Sequence, residues 1–198
     1  MDMLNLAICV LIALVLHELA HSYVSYRLGD PTPKLQGRLT LNPMAHIDPI
    51  GFLCLFVFGF GWAKPVGIDY RYYKNKKLGT ALVSLAGPFM NFIIAFLAIL
   101  ILKFCLILNI SQLANFLGTL FSINVGLGVF NLIPFPPLDG SKIVASILPS
   151  KAYDKWMYLE RYGFIILMLL LYFNVLTPML NTGVNFISRL IFSIVGIS

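Results

Sequence analysis

Apolar residues run in long blocks along this chain, and most charged residues are gathered between them. Four charge-poor stretches, residues 4–26, 78–102, 113–133 and 162–180, are long enough to span roughly 30 Å of hydrocarbon at about 1.5 Å per residue. The second and third carry no charged residue at all. A fifth apolar run, residues 50–62, has only about 13 residues and falls short as an upright helix, so it is expected to re-enter or tilt. Residues 181–198 carry Arg189 midway, a pattern that suits either a crossing or a helix along the surface. Between the first helix and the short run, Gly, Pro and Asn forbid a long helix, and "GRLTLN" alternates as a strand would. Together these patterns predict an all-α polytopic membrane protein with a three-helix core over about residues 4–145 and one or two C-terminal helices over about 151–198. A small membrane-associated β-hairpin or sheet and a short re-entrant segment complete the expected single domain, residues 1–198.

Composition sharpens this picture. The chain is 59% hydrophobic and 11% charged, with a mean hydropathy of +0.88. A soluble domain usually carries about 25% charged residues, so the surplus apolar surface needs lipid as its solvent. The net charge of +6 raises nucleic acid as a partner, but the basic residues sit in loops between apolar runs, which fits positive-inside topology instead. No nucleic-acid partner is expected. Cys9, Cys54 and Cys105 are isolated in apolar runs and read as buried thiols. "MDMLNL" lacks a basic n-region, so the first helix is expected to be retained rather than cleaved as a signal peptide.

The chemistry lies where polarity interrupts the first helix. His17-Glu18-Leu19-Ala20-His21 places two imidazoles about 40° apart and one turn along, so both can reach one metal. Glu18, about 100° away, can touch a water at that metal without ligating it. That is the physical sense of H-E-x-x-H, two ligands and a general base. Three ionisable groups within one or two membrane-embedded turns are costly unless paired or liganded, which weighs against simple helix packing. A hydrolytic zinc wants a third protein ligand, and the residues offer His46, Asp48 or Asp139. Asp139 follows "NLIPFPPLDGSK", whose prolines break the helix and imply a polar cavity. Ligands of one zinc lie within about 2.2 Å of it. For Asp139 to join the histidines, the first and third helices must run the same way and the second must run back. Positive-inside topology then puts the site toward the cytosol, with twelve of the fourteen basic residues on that side. In the second helix, "LAGPFMNF" combines a Gly87–Pro88 interruption with Asn91, which serves either as a packing residue or as a hydrogen-bonding group for a substrate backbone.

"HELAH", "AGPFMN" and "NLIPFPPLDG", in that order, resemble the site-2 protease family of intramembrane zinc metalloproteases (M50-like peptidases). The stretches "GRLTLNPMAHIDPIG" and "GWAKPVGI" resemble its small prokaryotic members without a PDZ domain. The resemblance implies one Zn2+ per chain held by His17, His21 and Asp139, with Glu18 as catalytic base. It also suggests that Asn91 and Asn131 hold the substrate strand or the tetrahedral intermediate, and it makes His46 and Asp48 structural. The expected activity is hydrolysis of peptide bonds within or near transmembrane segments of membrane proteins, in a prokaryotic cell membrane. The expected partners are a transmembrane protein substrate and the lipid bilayer; neither residues nor resemblance indicates an oligomeric state. An unwound substrate could add as a strand to the expected sheet near residues 38–42. The rival reading, a membrane zinc transporter or metal sensor, lacks the internal repeats that alternating access favours.

Overall fold

The computed structural model describes residues 3–58, 63–108 and 111–196. Its helices are α1 Met3–Arg27, α2 Thr32–Leu35, α3 Pro49–Phe58, α4 Lys76–Ile107, α5 Ser111–Asn131, α6 Asp139–Ile147, α7 Ser150–Tyr172 and α8 Thr177–Val195. Three segments, Met3–Arg27, Lys76–Ile107 and Leu113–Asn131, are long and apolar enough to cross a membrane. They match the expected three-helix core.

Cross-helix contacts fix the directions. Cys9 Sγ on α1 lies 3.8 Å from Phe116 O on α5, while His21 meets Asp139, beyond the C-terminal end of α5, at 3.1 Å. α1 and α5 therefore run parallel. On α4 the order reverses, because Asn91 reaches Ala13 O and Val83 O reaches His21. The helices approach closely through small residues such as Cys9, Ala13, Ala95 and Ala98, all at most 2% exposed. In lipid, where apolar surface has no reason to leave its solvent, such close backbone packing does much of the joining. The opposite side of α4 presents Leu82, Leu85, Phe89, Ile93, Leu97 and Ile101, all exposed and three or four residues apart. That stripe is the face suited to acyl chains.

The expected β-hairpin or sheet is absent among the described residues, and with it goes the edge on which a substrate strand was to add. The nearest feature is an isolated antiparallel bridge between Ile47 and Ala63. Side chains take the bonds that a ladder would have used. The Arg38 guanidinium, 5% exposed, donates to the carbonyls of Ala45, Lys64 and Pro65. His46 Nε2 donates to Thr40 O, Thr40 Oγ1 accepts from Asn42 N–H, and Asn42 Oδ1 accepts from Met44 N–H. Local side-chain bonds of this kind compete directly with strand pairing.

Within the short apolar run, α3 has 10 residues. At about 1.5 Å per residue it is too short to cross the bilayer upright. Residues 59–62 of that run lie outside the described residues.

The fourth expected span, residues 162–180, is not one straight helix; it passes the length and apolarity test for a crossing only as a bent pair of helices. α7 ends at Tyr172 and α8 starts at Thr177, and the segments Glu160–Tyr172 and Thr177–Val195 meet at 86°. Asn174 takes a left-handed φ of 56°, and Pro178 sits in the first turn of α8, where its missing N–H costs nothing. The C-terminal stretch 181–198 belongs to α8 as far as Val195, and its last two residues lie outside the described ones. α8 packs on the core: Phe192 stacks on Phe121 with ring centroids 5.2 Å apart, and Lys103 Nζ donates to Val195 O at 2.7 Å.

Candidate metal centre

The helical spacing of His17 and His21 does what the pattern requires. Their Nε2 atoms lie 3.0 Å apart, and Asp139 Oδ2 lies 3.2 Å from His17 Nε2 and 3.1 Å from His21 Nε2. The far sides of both rings are committed. His21 Nδ1 is 2.7 Å from Val83 O, a carbonyl that can only accept. His17 Nδ1 is 2.6 Å from Asn91 Oδ1, which also can only accept. Both Nδ1 atoms therefore donate, and in the neutral rings both Nε2 atoms carry a lone pair. Two imidazole lone pairs and a carboxylate oxygen then face one another at the edges of a triangle. Left alone these groups repel; a cation among them is the arrangement's natural partner. Ligand atoms around a tetrahedral zinc at about 2.0–2.1 Å lie roughly 3.3 Å apart, close to the observed edges. The donor set fits a zinc ion.

Neighbouring elements hold the ligands in place. Gly87 on α4 lies against the rings so tightly that a Cβ there would fall 2.3 Å from His21 Nε2 and 2.6 Å from His17 Nε2. On the same helix Pro88 offers no N–H to Ser84 O, loosening the ladder beside the Val83 carbonyl that engages His21. Asp139 is the first residue of α6. It reaches the histidines because Gly140 tucks under the end of α5, where a Cβ would meet Leu132 O at 2.3 Å and Ile133 O at 2.5 Å. The "DG" pair therefore combines a candidate ligand with the close approach that brings it to the histidines.

Of the three residues considered for the third ligand, Asp139 lies with the histidines. His46 is fully buried, but its Nε2 is spent on Thr40 O. Asp48 Oδ1 accepts from the N–H groups of Ile50 and Gly51 at the start of α3. Glu18 is half-buried one residue past His17, and its carboxylate makes no hydrogen bond among the described residues. Asn91 is fully buried, with Oδ1 on His17 and Nδ2 shared between Ala13 O at 3.2 Å and Asn124 Oδ1 at 2.9 Å. Asn131 Nδ2 turns back to Leu127 O at 3.0 Å.

Sequence reasoning missed Asn124 and Lys142. Lys142 stands one turn beyond Asp139. Burial works to lower its pKa, but Tyr70, Asp139, Glu160 and Glu18 more than offset this and hold the ammonium charged. Its position three residues after Asp139 was the available signal. Nothing distinguished Asn124 among the polar residues of α5.

The family profile described as Peptidase family M50 matches residues 106–171, which include "NLIPFPPLDG" but not "HELAH". YwhC of Bacillus subtilis, which carries the name of a zinc metalloprotease, is 43% identical over 196 residues, covering 93% of this chain and 90% of the relative. Rip2 of Mycolicibacterium smegmatis is 29% identical over 175 residues, covering 86% of this chain and 66% of the relative. MJ0392 of Methanocaldococcus jannaschii is 32% identical over 146 residues, covering 74% and 35%. Both of these are also named as zinc metalloproteases. No solved structure matches.

Proposed function

Because the chain belongs to peptidase family M50, the site-2 protease family, and is a membrane zinc metalloprotease, we propose that it cuts peptide bonds within or near transmembrane segments of other membrane proteins. Its cofactor is Zn2+. The observation that carries the reading is where the histidines lie: on α1, a helix long and apolar enough to cross a membrane. A substrate bond must therefore come to the bilayer to be cut.

In this proposal His17, His21 and Asp139 hold the ion. Bound there, zinc polarises a carbonyl as a Lewis acid and lowers the pKa of water toward roughly 7. The Glu18 carboxylate, with no hydrogen bond among the described residues, takes the proton of the attacking water and returns it to the leaving amine. The substrate helix must unwind locally, because a helical carbonyl is engaged in its own ladder. The hydrogen-bonding role expected of both asparagines passes to Asn131 alone, since the Asn91 amide is committed inside the protein. The proline-rich turn between α5 and α6 provides the path for water from the cytosolic side.

Purified protein in liposomes with a single-span substrate provides the test. Mass spectrometry of the products is expected to place the new termini within or beside the apolar segment. Asn131→Ala should cut about 10²-fold more slowly with its zinc retained, if the side chain holds the developing oxyanion. Cleavage confined to a soluble domain of the substrate would overturn the reading, and normal turnover by Asn131→Ala would remove that residue from it.

Orientation in a cell membrane belongs to the same proposal: the N-terminus outside, the loops around Lys74 and Lys151 in the cytosol. Single cysteines introduced at residues 74 and 108 of a cysteine-free variant should label from opposite sides of intact cells, with residue 108 reached from outside. The reverse pattern would place the site at the outer face.

A further inference from the structure

The candidate metal ligands are oriented by groups outside the H-E-x-x-H pattern. His17 presents a lone pair to the centre only if its proton sits on Nδ1, and a buried imidazole has no water to decide that. The partner of Nδ1 is Asn91 Oδ1 at 2.6 Å. An amide can turn either end toward a ring, so Asn91 would settle nothing unless it were itself fixed. It is fixed twice. Ala13 O, on α1, can only accept, and it lies 3.2 Å from Asn91 Nδ2. Asn124 Oδ1, on α5, lies 2.9 Å from the same nitrogen. Asn124 is fixed in turn because its own Nδ2 donates to Leu120 O at 2.8 Å, again a group that can only accept. Asn91 and Asn124 are both fully buried, so no solvent competes for these bonds.

We infer that Asn124 and Asn91 form a one-way hydrogen-bond relay across α5, α4 and α1 that holds His17 in the Nδ1–H tautomer and aims its Nε2 lone pair at the metal. The polarity of the chain is set at both ends. Leu120 O takes Nδ2 of Asn124, leaving its oxygen for Asn91; Asn91 then offers its own oxygen to His17. Reversing any one amide would set two oxygens, or two N–H groups, against each other in a buried site, at a cost comparable to a lost hydrogen bond per clash. The same relay ties the three spanning helices together at the depth of the ligands. His21 has no such chain, since the Val83 carbonyl fixes it directly. Both asparagines are positioning residues, acting on the reaction only through His17. The inference deepens the reading of His17, His21 and Asp139 as a zinc site and rests on it, but not on what the enzyme cuts.

Full-length protein carrying Asn91→Leu, Asn124→Leu or both decides the matter. Zinc affinity is measured by chelator competition, and the His17 tautomer by 15N resonances of histidine-labelled, zinc-free protein. Groups bonded behind a ligating histidine typically contribute about 10–100-fold in metal affinity. Asn91→Leu should lose that much and show His17 no longer purely protonated at Nδ1. Asn124→Leu should lose less. In the double variant the Asn124 substitution should add nothing, because a relay already cut at Asn91 has nothing left to transmit; independent packing effects would add instead. Should Asn91→Leu fail to fold, Asn124→Leu alone must still lower zinc affinity and disturb the tautomer. Wild-type affinity with an unchanged tautomer, or additive losses, would overturn the relay. A wild-type protein that binds zinc through this relay but cuts no membrane substrate would leave the relay standing and defeat the proposed protease reaction.

Discussion

Replacing Glu18 by Gln should abolish cleavage of a membrane substrate while zinc stays at one ion per chain. The exchange keeps length and shape, and among the described residues the Glu18 carboxylate holds no hydrogen bond whose loss would disturb the helix. The proposed ligands His17, His21 and Asp139 are untouched. What disappears is the capacity to accept a proton, and general-base catalysis typically contributes about 10²–10⁴-fold. Product formation by purified protein, beside metal content by atomic absorption, reads both halves of the expectation. A transporter has no use for a base here and would still move metal. Cleavage by Glu18→Gln at the wild-type rate would remove Glu18 from the mechanism; loss of zinc would make it a ligand or a support for one.

Gly87→Ala should empty the site although it alters no ligand. A Cβ on Gly87 would stand 2.3 Å from His21 Nε2 and 2.6 Å from both Cε1 and Nε2 of His17. Zinc–nitrogen bonds are about 2.0–2.1 Å, so the methyl group would enter the space the ion needs or push both rings away from it. Neither ring can retreat without giving up its bond to Val83 O or Asn91. Helix propensity alone would favour alanine over glycine by about 1 kcal/mol, so a folding defect through the helix is not the expected cause. Zinc content should fall toward the level of His17→Ala, with helical content preserved. Gly118→Ala, on α5 where a Cβ meets nothing within 4 Å, is the matched control and should keep its metal. Full zinc occupancy in Gly87→Ala would mean that the ion sits away from the His17–His21 edge.

Two kinds of information about this protein separate cleanly. The three helices long and apolar enough to cross a membrane, the two histidines, the glutamate beside them and the carboxylate after the proline break are all legible from the residues. Hydrophobic blocks long enough for the bilayer are local properties. So is a four-residue spacing, which puts two side chains on one face wherever a helix forms. The parallel run of α1 and α5 followed from requiring one ion to reach His17, His21 and Asp139.

Other features depend on partners distant in the chain. "GRLTLN" alternates like a strand, yet Arg38 reaches carbonyls up to 27 residues away and His46 caps Thr40, so the backbone bonds go to side chains. The stretch 162–180 carries no charged residue, and that pattern is blind to the 86° bend at Asn174. On α4 both faces are apolar, so periodicity could not tell the lipid stripe through Leu85 and Ile93 from the packed face through Val83, Gly87 and Asn91. Most of all, Gly87, Asn91 and Asn124 acquire meaning only through what lies against them: 66 to 74 residues separate Gly87 and Asn91 from the histidines they serve, and 33 separate the two asparagines. Ligand identity is a matter of side-chain chemistry and local spacing, which a linear chain carries openly. Ligand orientation is a matter of which buried donor faces which acceptor, and only the packing of α1, α4 and α5 decides that.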